Sequence, residues 1–256
     1  MMLTKTELTH FLEEKVDLYN RPSFIENDPV RIPHGYSTKE DIEISGFLTA
    51  TISWGNRKMI LQNATRMMEL LDDSPYDFIL NSEPSDMKRM EGFVHRTFNS
   101  GDLLYFLQAM KHIYTTAGGL ETIFNRYQTC NSLQPAIHQL NTIFFQLPHI
   151  KGTERHVSDP NKNSAAKKIN MFLRWMVRKD NRGVDFGIWE HISPSILSCP
   201  LDVHSGNVAR KLGLLNRKQN DAKAVYELDT ELRKLDSIDP VKFDFALFGL
   251  GVNEHF

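Results

Sequence analysis

A lysine and an aspartate stand out as residue types that could act together on a substrate. Lys167 lies in the stretch SAAKKINMFLRWMVR (164–178), and Asp202 follows 35 residues later in PLDVHSGNVARKLGL (200–214). A lysine amine becomes a nucleophile when it loses its proton, which burial or neighbouring cations such as Lys168 favour. A carboxylate beside the amine can accept that proton and stabilise positive charge on a reacting carbon.

The elements that must position these two groups are predicted helices. The first has an apolar stripe at helical spacing, which is typical of a helix that packs on a core. The stripe consists of Ile169, Phe172, Leu173 and Met176. The opposite face is expected to expose three cations and an amide: Lys167, Asn170, Arg174 and Arg178. Ser164 is placed to cap the first helix, and Asp202 can cap the second, whose positive dipole end favours a carboxylate.

The charge of the chain is unevenly distributed. Between Asn161 and Lys218 there are eleven Lys and Arg against four Asp and Glu, although the whole chain has a formal charge of −2. This window therefore has a net charge of +7 and the rest of the chain is acidic. A basic patch attracts polyanions, and phosphate backbones are the first candidates.

Two motifs in these segments carry a family resemblance. Lys167 to Asn170 match a K-T-A-N-type run, and Phe172 to Arg174 match an F-L-R run. Asp202-Val203-His204, followed by Arg210, matches a D-x-H segment with a later arginine. These segments resemble the helix-hairpin-helix superfamily of DNA glycosylases, which includes endonuclease III and the 8-oxoguanine glycosylases. The nearest resemblance is to a bacterial family of conserved hypothetical proteins, similar to archaeal-type 8-oxoguanine enzymes. It spans roughly residues 40 to 252.

The resemblance implies an all-α, two-lobed glycosylase-like fold with a helix-hairpin-helix element. Residues 47–179 would form a central bundle ending in the hairpin and the lysine helix, and residues 1–46 and 180–256 a second lobe. The implied activity is excision of an oxidised or damaged purine, such as 8-oxoguanine, from double-stranded DNA. Lys167 would form a Schiff base and the strand would then be nicked as in an abasic-site lyase, with Asp202 assisting.

The resemblance also implies which residues contact DNA. The turn TISWGNRKMI (51–60) would reach towards the gap left by an extruded base. The implied contacts are Asn56, Arg57, Asn163, Ser164, Ala165, Lys168, Asn170, Arg174, His204 and Arg210. The superfamily hairpin normally has two glycines just before the lysine, where this chain has Asn163 and Ala165. Asn tolerates the left-handed backbone conformation, whereas Ala does so less easily.

Several simpler interpretations stay open. Lys167 could belong to a solvated helix face and Asp202 could be only a cap. Asp202 and His204 could be read as a metal pair, but two ligands do not make a site, so no metal and no cofactor are expected. Trp54 and Trp175 could stack on a base or be core aromatics. A DNA-binding protein of the same fold without catalysis, or a helical interaction protein without nucleic acid, remain alternatives.

Composition limits the remaining possibilities. Hydrophobic residues make up 41% and charged residues 24% of the chain, as in ordinary globular proteins. No apolar run approaches the ~18 residues of a membrane-spanning helix. The two cysteines, Cys130 and Cys199, are too few for a four-cysteine iron–sulfur cluster. We therefore expect a cytoplasmic monomer with no membrane partner, built from many short helices and without a convincing strand.

Overall fold

The fold is all-α. A computed structural model describes residues 4–256, in which eleven α-helices and a short pair of strands are connected by loops, short 3-10 helices and a π-helical turn at Ile113–Ala117. The α-helices are α1 (Lys5–Tyr19), α2 (Lys39–Ile52), α3 (Arg57–Leu70), α4 (Pro75–Asn81), α5 (Ser100–His112), α6 (Leu120–Tyr127), α7 (Gln134–Phe144), α8 (Lys167–Val177), α9 (Val203–Lys211), α10 (Ala222–Leu235) and α11 (Phe243–Asn253). The strands are β1 (Val94–His95) and β2 (Phe98–Asn99).

The strand pair was not predicted from the sequence. β1 and β2 are antiparallel, with Val94 opposite Asn99 and His95 opposite Phe98. Two residues per strand are too few to produce the alternating pattern by which a strand is recognised in a sequence. The hairpin nevertheless has an inward and an outward side, because His95 and Phe98 are buried while Val94 is exposed.

The core consists of two hydrophobic clusters. The first is formed mainly by α2 to α8 and by residues 184–197, and the second by α1, α9, α10 and α11. The turn before α8 lies where they meet, because Ala166 belongs to the first cluster and Ala165 packs against the second. The predicted division into 47–179 and the two terminal segments remains a prediction, and residues 1–3 of it lie outside the described part.

Helix α2 is the element against which the lysine helix is packed. Its residues from Ile42 to Ile52 are all buried, and it packs directly on α8. The two helices approach closely at Gly46, where an added Cβ would lie 3.2 Å from the Met176 side chain. The apolar stripe predicted for α8 is buried as expected, with Phe172, Leu173 and Met176 almost inaccessible to solvent.

Among the described residues, none of the helices combines the length and the apolar character needed to cross a membrane.

Candidate functional site

The turn that introduces α8 has two residues in the left-handed conformation. They are Asn163, with φ of 62°, and Ala166, with φ of 45°. Ser164 was predicted to cap the helix, but Ala166 occupies the cap position and Ser164 Oγ accepts a hydrogen bond from the Ala166 N–H at 3.2 Å. A left-handed alanine costs about 1 kcal/mol. The buried surroundings of Ala166 therefore hold the turn in a shape that its sequence does not favour.

This turn is attached to the second hydrophobic cluster through α10. The Asn163 side chain donates to Asp221 Oδ2 at 3.2 Å, and the Ala222 N–H donates to the Asn163 carbonyl at 3.3 Å. Asp221 also caps α10 and accepts from Arg217. The start of α8 is thus fixed relative to α9 and α10, which are the helices that carry the predicted aspartate and its supports.

Asp202 uses one carboxylate oxygen to cap α9. Its Oδ1 accepts from the Ser205 N–H at 3.0 Å, and Ser205 Oγ accepts in return from the Asp202 N–H at 2.9 Å. Asn220 donates to the Asp202 carbonyl at 2.7 Å, and Arg210 donates to Asn220 at 2.6 Å. Arg210, a predicted DNA contact, directs its guanidinium to the 217–220 loop and so helps to hold Asp202 in place.

The other carboxylate oxygen of Asp202 faces Lys167. Lys167 Nζ lies 3.7 Å from Asp202 Oδ2, although the two residues are 35 positions apart in the sequence. This distance is short enough for strong electrostatic attraction but longer than a hydrogen bond. The side chains are 29% and 22% exposed, so both reactive groups can be reached from solvent at the junction of the two clusters. The structure brings the predicted pair together.

Lys168 has a different environment. Its Nζ donates to the Thr51 carbonyl at 2.8 Å and lies 4.6 Å from the centre of the Trp54 ring. Burial, with a further contribution from the Lys167 charge, lowers the pKa of Lys168 to about 8. The amine is therefore turned towards the Trp54 loop, and a large fraction of it is neutral slightly above physiological pH.

Two histidines complete the surroundings of Trp54. The His95 ring meets the Trp54 ring edge-on at 5.0 Å and its Nε2 lies 3.2 Å from the Trp54 carbonyl. The His156 ring lies 5.9 Å from Trp54. Burial lowers the pKa of both imidazoles, so they are neutral near pH 7. Trp54 is only partly buried, whereas Trp175, the other predicted stacking candidate, is fully buried in the core.

The prediction that Asn170, Arg174 and Arg178 are exposed on α8 is wrong, and the burial of Asn170 and Arg174 removes the support for their predicted DNA contacts. Arg174 is 4% exposed and donates to Asp185 and Asp244, while Arg178 donates to Asp185 at 2.9 Å. Asn170 is 1% exposed, and its amide donates to the Ala165 carbonyl at 3.0 Å. The face of α8 opposite the apolar stripe is therefore buried as well, except at Lys167, because other segments cover it.

The predicted +7 patch is reduced for the same reason. Arg174 and Arg178 are neutralised partly by Asp244 and Asp239, which lie outside the window from which the charge was counted. Arg182 pairs with Asp17, which comes from α1. A count along the sequence cannot include carboxylates that the fold brings in from elsewhere, and it therefore overstates the exposed positive charge.

The remaining predicted contacts lie at the surface around the junction. Asn56 caps α3 by accepting from the Met59 N–H at 3.2 Å, and Arg57 is exposed with its guanidinium 5.4 Å from the Phe248 ring of α11. His204 is exposed in the first turn of α9. Their contacts with DNA remain predictions. Across residues 4–256, His, Cys, Asp and Glu do not gather in any group of three that could hold a metal ion.

One residue near the site was missed at the sequence level. Asp28 is buried and accepts from the Val30 N–H at 3.0 Å. Burial raises the pKa of Asp28, and the charges of Arg174, Arg57 and Lys167 oppose the rise. The segment before α2 thus adds a carboxyl group within the electrostatic range of Lys167. The sequence offered only an Asp-Pro pair there, which indicates a chain break and not a site.

Comparison with known proteins places this geometry in a family context. Residues 28–253 match the model of a family described as a protein of unknown function (DUF2400). The chain belongs to that family. The match includes α2 to α11, and with them Asp28, Lys167 and Asp202. No curated protein and no solved structure matches the chain in the same comparisons.

Proposed function

We propose that this protein is a DNA glycosylase with abasic-site lyase activity that acts on a damaged base, such as an oxidised purine, in double-stranded DNA. The observation that carries the proposal is the approach of Lys167 Nζ to within 3.7 Å of Asp202 Oδ2. If Asp202 were only a helix cap and Lys167 only a solvated surface residue, the two groups would not need to lie close together. Their partial exposure at the junction of two clusters leaves them accessible to a nucleotide taken out of the duplex.

The proposed chemistry uses Lys167 as the nucleophile, and Asp202 as a proton carrier and as a stabiliser of positive charge. Asp202 accepts a proton from the Lys167 ammonium, which leaves a neutral amine. The amine forms a bond to C1′ of the extruded nucleotide while the bond from C1′ to the base breaks, and the base leaves with that electron pair. The Asp202 carboxyl group gives the proton that it accepted to the departing base, and the carboxylate that remains stabilises the positive charge on the sugar. Transfer of a proton from the Lys167 nitrogen to O4′ breaks the C1′–O4′ bond and leaves a protonated Schiff base on Lys167. Loss of a C2′ proton then forms a double bond between C2′ and C3′ and expels the 3′ phosphate.

The fixed position of Asp202 supports this division of roles. Its Oδ1 is occupied by Ser205, and its backbone carbonyl is held by Asn220, so Oδ2 is directed at the amine. A preorganised carboxylate stabilises a developing charge more effectively than one that must reorient during the reaction. The cap of α9 and the proposed catalytic carboxylate are therefore the same group, with its two oxygens used separately.

Borohydride trapping tests the proposal. The protein is incubated with duplexes that contain an abasic site or one of several oxidised purines, and borohydride reduces any Schiff base to a stable covalent adduct. We expect an adduct with the wild-type protein that is lost in Lys167→Gln and strongly reduced in Asp202→Asn. Lys162→Gln is the matched control, because Lys162 precedes the same turn but is 68% exposed and pairs with Glu154.

A DNA-binding protein of the same fold without catalysis is the second candidate. The observation that favours it is the exposure of Arg57 and Lys58 after the turn between α2 and α3, since exposed cations attract a phosphate backbone whether or not a reaction follows. Tight binding to duplex DNA without an adduct on any substrate would favour this second function. The absence of both binding and adduct would contradict both functions.

A further inference from the structure

The tip of the β1–β2 hairpin has an unusual conformation. The pairing of His95 with Phe98 leaves Arg96 and Thr97 as a two-residue turn. Arg96 is exposed and adopts a φ of 56°, in the left-handed region that L-residues other than Asn, Asp and Gly avoid. An arginine is therefore kept where the backbone alone would favour a different residue, which is a pattern that accompanies functional turns.

Contacts on two sides hold the hairpin tip in place. Arg155 Nη2 donates to the Thr97 carbonyl at 2.8 Å. The Arg96 guanidinium packs over Gly55, where an added Cβ would lie only 2.8 Å from Nη1. Gly55 itself has φ of 102°, a conformation that residues with a side chain rarely adopt. The turn between α2 and α3 therefore has no side chain at this position, and the guanidinium can pack directly on it. The position of the Arg96 charge is therefore set by the fold.

The hairpin is also continuous with the candidate site. His95 contacts both the ring and the carbonyl of Trp54, and the Trp54 ring lies beneath Lys168 Nζ. Lys168 directly follows Lys167. The 54–57 turn thus has the lysine helix on one side and the hairpin tip on the other, and a duplex that presents a nucleotide to Lys167 would pass beside this tip.

Four cations around this turn are exposed, and none of them forms an ion pair with a carboxylate in the part of the chain that the structure describes. They are Arg57, Lys58, Arg96 and Arg155. This is the opposite of α8, whose arginines are neutralised internally. Cations without carboxylate partners produce a positive potential that attracts a phosphate backbone. A guanidinium can also bind a phosphate through two parallel hydrogen bonds.

We propose that the β1–β2 hairpin is a second DNA-contacting element, in which Arg96 binds a backbone phosphate of the duplex beside the extruded nucleotide. The inference rests on the proposed function in that the partner is duplex DNA, but it does not require catalysis. Gly55 and Arg155 position the tip, and Arg96 makes the contact. The ligand group is a phosphodiester, so the contact contributes affinity without base specificity.

Affinity measured over a range of salt concentrations tests this proposal. The probe is a duplex with a tetrahydrofuran abasic-site analogue, titrated into the full-length protein. Arg96→Asn removes the charge while Asn suits the left-handed conformation, so the variant should be at least as thermally stable as the wild type. Arg96→Lys retains the charge. Arg126→Asn is the matched control, because Arg126 is exposed in the last turn of α6.

For Arg96→Asn we expect affinity weakened on the order of tenfold, and a dependence of log affinity on log salt that is shallower by about one. Arg96→Lys should recover most of the loss, and Arg126→Asn should bind as the wild type does. Unchanged affinity and salt dependence in Arg96→Asn would overturn the proposal, as would an equal loss in Arg126→Asn.

The outcomes separate this inference from the proposed enzyme. If the wild type gives no borohydride adduct but its affinity depends on Arg96, the hairpin contact stands and the glycosylase proposal fails. If the wild type gives an adduct and Arg96→Asn binds normally, the enzyme stands and the hairpin contact fails. A wild-type protein that does not bind duplex DNA would overturn both.

Discussion

Helix α8 carries basic side chains at both ends in very different surroundings. In its first turn, Lys167 remains partly exposed and faces the single carboxylate Asp202 at 3.7 Å. Two turns later, Arg174 is buried between Asp185 and Asp244. Both arrangements are ion pairs on one helix. The first is open to a substrate, whereas the second is closed and connects α8 to its neighbours.

The difference follows from what packs against each end. Asp185 comes from the segment that follows α8, and Asp244 comes from α11, and together they cover the later turns. In the first turn, the Lys167 side chain faces the beginning of α9 and stays partly exposed, so water and a ligand can approach it. A charged face of a helix therefore has no fixed role; the elements packed against it decide whether its cations stabilise the fold or meet a substrate.

The largest effect on stability is expected at the closed end of α8, where Arg174 is buried. Arg174→Met should lower the free energy of unfolding by about 4 kcal/mol, because Asp244 would be left buried without its ion-pair partner and Asp185 would keep only Arg178. Urea denaturation of the variant and of the wild type measures the difference. Arg126→Met, at an exposed position on α6, should change stability by less than about 0.5 kcal/mol. A loss of under about 1 kcal/mol for Arg174→Met would show that the buried pairs do not hold α8 in place.

A smaller effect is expected in the pH dependence of stability, through the partly neutral amine of Lys168. The folded protein lowers the pKa of Lys168 to about 8 from an ordinary 10.5, so between these values the unfolded chain binds more protons. Stability should therefore rise with pH through this window, on the order of 2 kcal/mol, relative to Lys168→Met, which lacks the titrating group. Below pH 8 the penalty for burying the charge is complete. Parallel stability curves for the two proteins from pH 7 to 10.5 would contradict the buried position of the Lys168 amine.

The smallest effect on stability is expected at the open end. Lys167→Gln should change the free energy of unfolding by less than about 1 kcal/mol, because a partly exposed ion pair at this distance contributes little. Thermal unfolding of Lys167→Gln beside Lys162→Gln gives the comparison. A loss as large as that of Arg174→Met would mean that Lys167 is a structural group and that both ends of α8 serve the fold.

The sequence was sufficient for the fold class and for the pairing of Lys167 with Asp202. The helices could be predicted because the spacing of apolar residues is a local property of the sequence. The pairing of Lys167 with Asp202 is a long-range contact, and it came from the family resemblance. The burial of Arg174 and Asn170 could not be predicted, because their partners come from other elements. Arg174 binds Asp185 after α8 and Asp244 of α11, and Asn170 accepts from Gln134 of α7. Asp28 was missed for the same reason, because the cations near it are distant in the sequence. The hairpin at Arg96 was missed because its strands are too short to recognise.

The most direct test of the central claim is the identity of the residue that becomes attached to DNA. After borohydride trapping on an abasic-site duplex, the adduct is digested, and mass spectrometry with fragmentation locates the modified side chain. We expect a sugar remnant on Lys167, with none on the neighbouring Lys168. Attachment at Lys168 or at any other amine, or the absence of an adduct from a protein that binds the duplex, would contradict this expectation.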